Sequence, residues 1–163
     1  MMKRDERMSL VEQIGKDMVA AMKAREEARL STLRMMKSGL KNKEIEKRAP
    51  LTDSEAQAAI QTMIKQRRES IEMFTKGNRP ELAAKEEAEI VTLEAYLPKE
   101  ATPAQIVEFV EATVAEMTET NGAKPGQKEM GAVMKAVQAK IAATGVRADG
   151  KQVSELVRAQ LAK

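Results

Sequence analysis

A chain of 163 residues has room for one full-sized core or two small ones, and is too short for a multi-domain enzyme. It contains no Cys and no His, which removes thiolate nucleophiles, disulfides, the usual structural zinc sites and the commonest general base, so neither a cofactor nor a metal is expected. Its 28 basic and 25 acidic residues leave a net charge of +3, an excess too small to indicate nucleic acid by itself.

Aromatic residues make up 2% of the chain, and Ala, Glu, Lys, Met, Gln and Leu are abundant, a composition that favours helix over sheet. Met1 to Arg7 is charged and leads into an amphipathic segment rather than an apolar one, so no signal peptide is read there. No run approaches membrane-spanning length. The default expectation is a cytoplasmic protein without a membrane role.

Ser9 can cap a first helix with Leu10, Ile14, Met18, Ala21 and Met22 at three- and four-residue spacing. A second helix is predicted from about Glu26 to Lys47, with Leu30, Leu33, Met36 and Leu40 in one stripe, stopping before Pro50. Thr52 and Glu55 form a capping box that opens a third, whose apolar face is Ala56, Ile60, Met63, Ile64, Ile71 and Phe74. Gly77 and Asn78 end it, and Pro80 stands at the first position of a fourth with Leu82, Ile90, Leu93 and Leu97 on one side.

Pro98 to Pro103 holds two prolines and no apolar periodicity beyond alanine, which places a domain boundary there. Thr102, Pro103 and Gln105 then open a fifth helix with Ile106, Phe109, Val110, Thr113 and Met117 inward. A sixth carries Met130, Val133, Met134, Val137 and Ile141, and Asp149 can cap a seventh with Val153, Leu156, Val157 and Leu161. The expected architecture is all-α, with a four-helix N-terminal domain over residues 1–97 and a small three-helix bundle over residues 98–163.

Three groups of residues invite a functional reading. Arg67 interrupts the apolar stripe of the third helix, and Glu86 and Glu89 interrupt that of the fourth. A turn centred near Asn78 sets Arg67 against Glu89, as a semi-buried, bidentate ion pair that either fixes the hairpin register or belongs to a site. Lys23 to Arg48 has nine basic and four acidic residues, and Arg34, Lys37 and Lys41 recur there at helical spacing. Such a stripe either covers the core edge or meets phosphate. Gly131 lies inside the sixth helix, where glycine costs about 1 kcal/mol relative to alanine. Either close helix packing or the approach of a nucleic-acid backbone to Lys128, Lys135, Arg147 and Lys151 would account for it. No Gly-rich phosphate loop and no Ser-His or closely spaced Ser-Lys arrangement is present, so no catalytic residue is named.

The run Lys65 to Phe74, then Arg79-Pro80-Glu81-Leu82-Ala83, Glu86, Glu89 and Tyr96-Leu97-Pro98, resembles the GatB/YqeY family. So do Lys128 to Lys135 and Arg147 to Val153, and the likeness extends from about Ser9 to the C-terminus. In that family the module forms the tail of GatB, a subunit of the glutamine-dependent aminoacyl-tRNA amidotransferase, where it helps hold tRNA. The resemblance therefore implies affinity for tRNA, a partner in the translation or amidotransferase machinery, and association with carbon-nitrogen ligase chemistry. Gly131, Met134, Lys135, Gly145, Arg147 and Asp149 carry over as tail-like positions, with Lys135 and Arg147 facing phosphate. The catalytic cradle of GatB and the serines of the amidase have no counterpart here, so catalysis by this chain alone is not implied. The competing expectation is an adaptor that binds protein and no nucleic acid.

Overall fold

The computed structural model describes residues 8–163; the sequence reading of Met1 to Arg7 lies outside them. Seven α-helices account for most of the described chain: α1 (Leu10–Lys23), α2 (Glu27–Lys47), α3 (Asp53–Lys76), α4 (Pro80–Glu94), α5 (Pro103–Asn121), α6 (Met130–Ala143) and α7 (Gly150–Leu161). Among the described residues there is no strand, and the one isolated bridge joins Glu100 and Arg147 in parallel. The chain divides into two compact units, one ending at Leu97 and the other running from Pro98 to Lys163.

Local chemistry explains where the helices begin. Ser9 with Glu12, Thr52 with Glu55 and Thr102 with Gln105 each close a reciprocal capping box, which satisfies two backbone donors that a helix start leaves unpaired. Proline occupies the first position of α4 and α5, where its missing N–H is no loss. Asp149 precedes α7 with extended backbone, but its side chain makes no capping bond. The α6 start also differs from the expectation: a 3-10 turn, Gln127–Glu129, precedes it, held by Gly126 N–H donating to Glu129 Oε2 at 2.7 Å.

In the first unit, α1 with α2 and α3 with α4 form hairpins, whose tight turns need left-handed backbone at Arg25 (φ 58°) and Asn78 (φ 55°). Ile14, Leu33, Met36, Leu40, Ile60 and Leu93 are fully buried at its centre. Each contributes about 1.5–3 kcal/mol by leaving water. Two apolar assignments are corrected: Met22 is 53% and Leu82 is 37% exposed, and Ala83 takes the inward place on α4. Periodicity finds a helical face but not its rim, where one residue's rotation of about 100° decides burial.

The buried acid of α1 has no local signal in the sequence. Asp17 is buried in α1, and Tyr96 Oη donates to its Oδ2 at 2.5 Å while Gln13 Nε2 donates to its Oδ1 at 2.8 Å.

The second unit packs α5, α6 and α7 around Ile106, Val110, Val133, Val137, Ile141, Val153 and Val157. The segment before α5 is built into this unit. Arg147 N–H donates to Lys99 O, and Ala101 N–H donates to Arg147 O at 2.7 Å. The end of α7 is held by Lys124, whose ammonium donates to Gln160 O at 3.2 Å and to Lys163 O at 2.8 Å. Carbonyls at a helix C-terminus lack intrahelical partners and favour a cation. Lys124→Met is therefore expected to destabilise the second unit by about 0.5–1 kcal/mol. Faster hydrogen exchange confined to α7 amides would report it; unchanged exchange there would rule the cap out.

Candidate nucleic-acid interface

Alternation of burial along α6 orients its cations. Val133, Val137 and Ile141 face the core, so Gly131 and Lys135, one turn apart, lie on the outer side together with exposed Ala132 and Ala139. Lys128 stands exposed in the 3-10 turn just before them. A Cβ placed on Gly131 would meet nothing within 4 Å, so close helix packing does not account for this glycine. Neither Lys128 nor Lys135 enters an ion pair among the described residues, whereas Lys140, also on α6, is bound to Glu116 at 2.7 Å. The 3-10 turn and the first two turns of α6 thus present two free ammonium groups, Lys128 and Lys135, beside the open backbone at Gly131.

Arg147 and Lys151 lie elsewhere. From Lys135 to the end of α6 at Ala143 is a rise of roughly 12 Å, and the Thr144–Asp149 connection places Arg147 and Lys151 at that far end. Lys151 is exposed in the first turn of α7. The Arg147 guanidinium is turned inward: its side chain is 16% exposed, Nε donates to Pro98 O at 3.0 Å, and Nη2 lies 3.8 Å from Glu100 Oε2. This arginine fastens the Pro98–Ala101 segment to the α6–α7 connection. No sequence signal indicated that role, because both partners of the contact are distant in the chain.

Arg34, Lys37 and Lys41 belong to the first unit, on the outer face of α2, and all three are exposed. Lys41 lies 4.0 Å from Glu44, while Arg34 and Lys37 have no acidic partner among the described residues.

Arg67 is buried between α2, α3 and α4. Its Nε donates to Glu89 Oε2 at 3.0 Å, with Glu86 at 4.0 Å, while its Nη1 donates to Met63 O and its Nη2 approaches Met35 Sδ. A single nitrogen, rather than a fork of two, meets Glu89, because the other two are engaged by α3 and α2. All of its nitrogens thus face protein, an arrangement suited to fixing helix positions.

An open groove of about 520 Å³ lies between the end of α2 and the start of α3, floored by Leu51, Ala58 and Ala59 and rimmed by Lys43, Glu46, Lys47 and Glu55. Lys47 at 2.6 Å, and after it the Thr52 N–H, hold the Glu55 carboxyl below the usual carboxylate range. The rim is therefore self-neutralised and contains no candidate residue.

Comparison with known proteins adds relatives. The chain is 36% identical over 114 residues to Altered inheritance of mitochondria protein 41, mitochondrial, of Lachancea thermotolerans, an alignment covering 68% of this chain and 61% of that one. The protein of the same name in Vanderwaltozyma polyspora is 35% identical over 69% of this chain and 62% of its own. That of Pyrenophora tritici-repentis is 28% identical over 88% and 78%. The chain thus spans about three fifths of the first two relatives. These matches overturn the expectation of a cytoplasmic protein, since the relatives are named as mitochondrial. That expectation rested on a missing apolar segment, and although no described helix is long and apolar enough to cross a membrane, this property does not distinguish one aqueous compartment from another. The model of the Yqey-like protein family matches residues 11–161, almost the full length, and the chain belongs to that family.

Proposed function

We propose that the chain is an RNA-binding accessory module with tRNA as its target, and that its two units are separately folding domains of four and three helices. The observation that carries the reading is the outer face of α6, where Lys128 and Lys135 flank the unobstructed backbone at Gly131. Ammonium groups beside open helix backbone can follow a sugar-phosphate chain by charge and shape without reading base edges. The likeness to the GatB tail supports tRNA over other polyanions. Any amide-transfer chemistry belongs to a partner enzyme, and the chain supplies binding and orientation. Lys151 extends the contact at the far end of the unit, and Arg147 acts by holding the unit's shape.

The test is fluorescence anisotropy of the full chain with labelled tRNA and with duplex DNA across a salt series. Lys128→Ala with Lys135→Ala is expected to weaken tRNA binding and to reduce the salt slope by about 2, roughly 1 for each phosphate that is no longer neutralised. Arg147 is left intact, because removing it would release Pro98–Ala101 from the unit. Undetectable binding at low salt, or equal binding of both nucleic acids untouched by the two substitutions, would overturn the reading.

A further inference from the structure

The outer face of the α1–α2 hairpin combines features that the RNA reading leaves unused. A three-residue turn makes the helices antiparallel. Where they pass, the Cβ position of Gly15 lies 3.9 Å from Lys37 Nζ, the one atom within 4 Å. From that crossing, Val19 and Met22 follow at four and seven residues along the same face of α1. They are 43% and 53% exposed. On α2, Arg34 and Lys41 flank Lys37 one turn to either side, all exposed. Antiparallel pairing with Gly15 beside Lys37 brings Arg34 level with about Val19, so two cations lie beside the Gly15 end of the apolar ridge. The notch at Gly15 lies under the Lys37 ammonium, while Lys41 is level with about Val11, beyond the ridge. Of the acids close by, Glu12 is occupied in the Ser9 capping box, Glu26 pairs with Arg29, Glu27 stands exposed at the turn end of α2, and Glu44 stands by Lys41 and accepts from Leu51 N–H.

Gly15 itself is informative. A glycine within a helix is less stable than alanine there by about 1 kcal/mol, and at 3.9 Å from the nearest atom an alanine would fit in ordinary van der Waals contact. The fold of this unit does not require it, whereas close approach of another helix would.

We propose that this face docks an amphipathic helix of another protein, its apolar side against Val19 and Met22 over the Gly15 notch and its acidic flank against Arg34 and Lys37. Charge complementarity selects the partner: the exposed cations Arg34 and Lys37 border one side of the apolar ridge, so an acidic flank gains while a basic one is repelled. Exposed valine and methionine distinguish the face from a phosphate-binding one, since RNA would leave them wet and no aromatic side chain stands there to stack on bases. A bilayer surface is disfavoured because no Trp or Phe lines the ridge. The inference is independent of the tRNA reading, which uses residues of the other unit.

The probe is a labelled synthetic peptide of about 20 residues, helical, with Leu and Ala on one face and Glu along the other. Controls are a scrambled peptide of the same composition, phosphatidylglycerol vesicles and tRNA, each titrated with the full chain. Saturable binding of the helical peptide is expected, weakened about tenfold by Arg34→Glu with Lys37→Glu. A similar loss is expected from Gly15→Leu, which fills the notch without altering charge and, being a better helix former, does not lower the melting temperature. Val19→Ser with Met22→Ser gives a second uncharged check, while Lys128→Ala with Lys135→Ala leaves peptide binding unchanged. Equal binding of the scrambled peptide, or full binding by the Gly15→Leu and Val19→Ser, Met22→Ser variants, would overturn the proposal as non-specific charge attraction. So would vesicles or tRNA responding to these variants while the helical peptide does not bind.

Discussion

Arg67→Ala is expected to destabilise the first unit by about 2–3 kcal/mol, chiefly through the carboxylates it strands. Removing one partner of a buried ion pair typically costs about 3–5 kcal/mol. Glu89 and Glu86 keep 21% and 24% side-chain exposure, so water recovers part of that penalty. The carbonyl of Met63 also loses its donor from Arg67. Lysine would not restore the arrangement, because three separate nitrogens of one planar group reach Glu89, Met63 and Met35 on three helices. The double substitution Arg67→Met, Glu89→Leu is expected to recover most of the loss, since well-packed apolar replacements of buried pairs are commonly neutral or stabilising. Tyr96 is the one tyrosine in a chain without tryptophan, so its emission during urea unfolding reports on this unit alone. A loss below about 0.5 kcal/mol, the level of an exposed pair, would show that Arg67 does not fix the α3–α4 hairpin.

Tyr96→Phe is expected to cost about 2 kcal/mol at neutral pH and to flatten the alkaline limb of the stability curve. Tyr96 and Asp17 are 7% and 6% exposed, and losing the hydroxyl leaves Asp17 Oδ2 without its donor, a penalty of about 1–3 kcal/mol. Burial first, and then the hydrogen bond to Asp17, hold the phenol above its usual value of 10.0. A folded-state pKa raised above the unfolded one adds stability that is fully present below about pH 10 and is lost as pH rises towards the folded value. The native chain should therefore lose stability above about pH 10 more steeply than the phenylalanine variant. Thermal melts followed by circular dichroism give the comparison, because the variant lacks the emission probe. Parallel alkaline limbs would mean that Tyr96 ionises freely in the folded state.

Helix positions were legible because their causes are local. Capping boxes at Ser9, Thr52 and Thr102 act over three residues, prolines act on their own turn, and apolar stripes repeat within four. The outer α6 face was legible for the same reason: Gly131 and Lys135 share it through helical period alone. An arginine inside an apolar stripe was visible as an anomaly, but its division among Glu89, Met63 and Met35 was not.

The sequence by itself determined the all-α class, the approximate ends of seven helices and the absence of histidine and cysteine chemistry. Tertiary structure alone decided which polar groups lie inside and which apolar ones remain outside. Tyr96 meets Asp17 across 79 positions and Arg147 meets Pro98 across 49, while Val19 and Met22 stay exposed on a helix whose other face is core. Helical period fixes the angle of a side chain about its own axis. Whether that direction ends in water or against another helix depends on packing between segments far apart in the chain, and no local pattern encodes it.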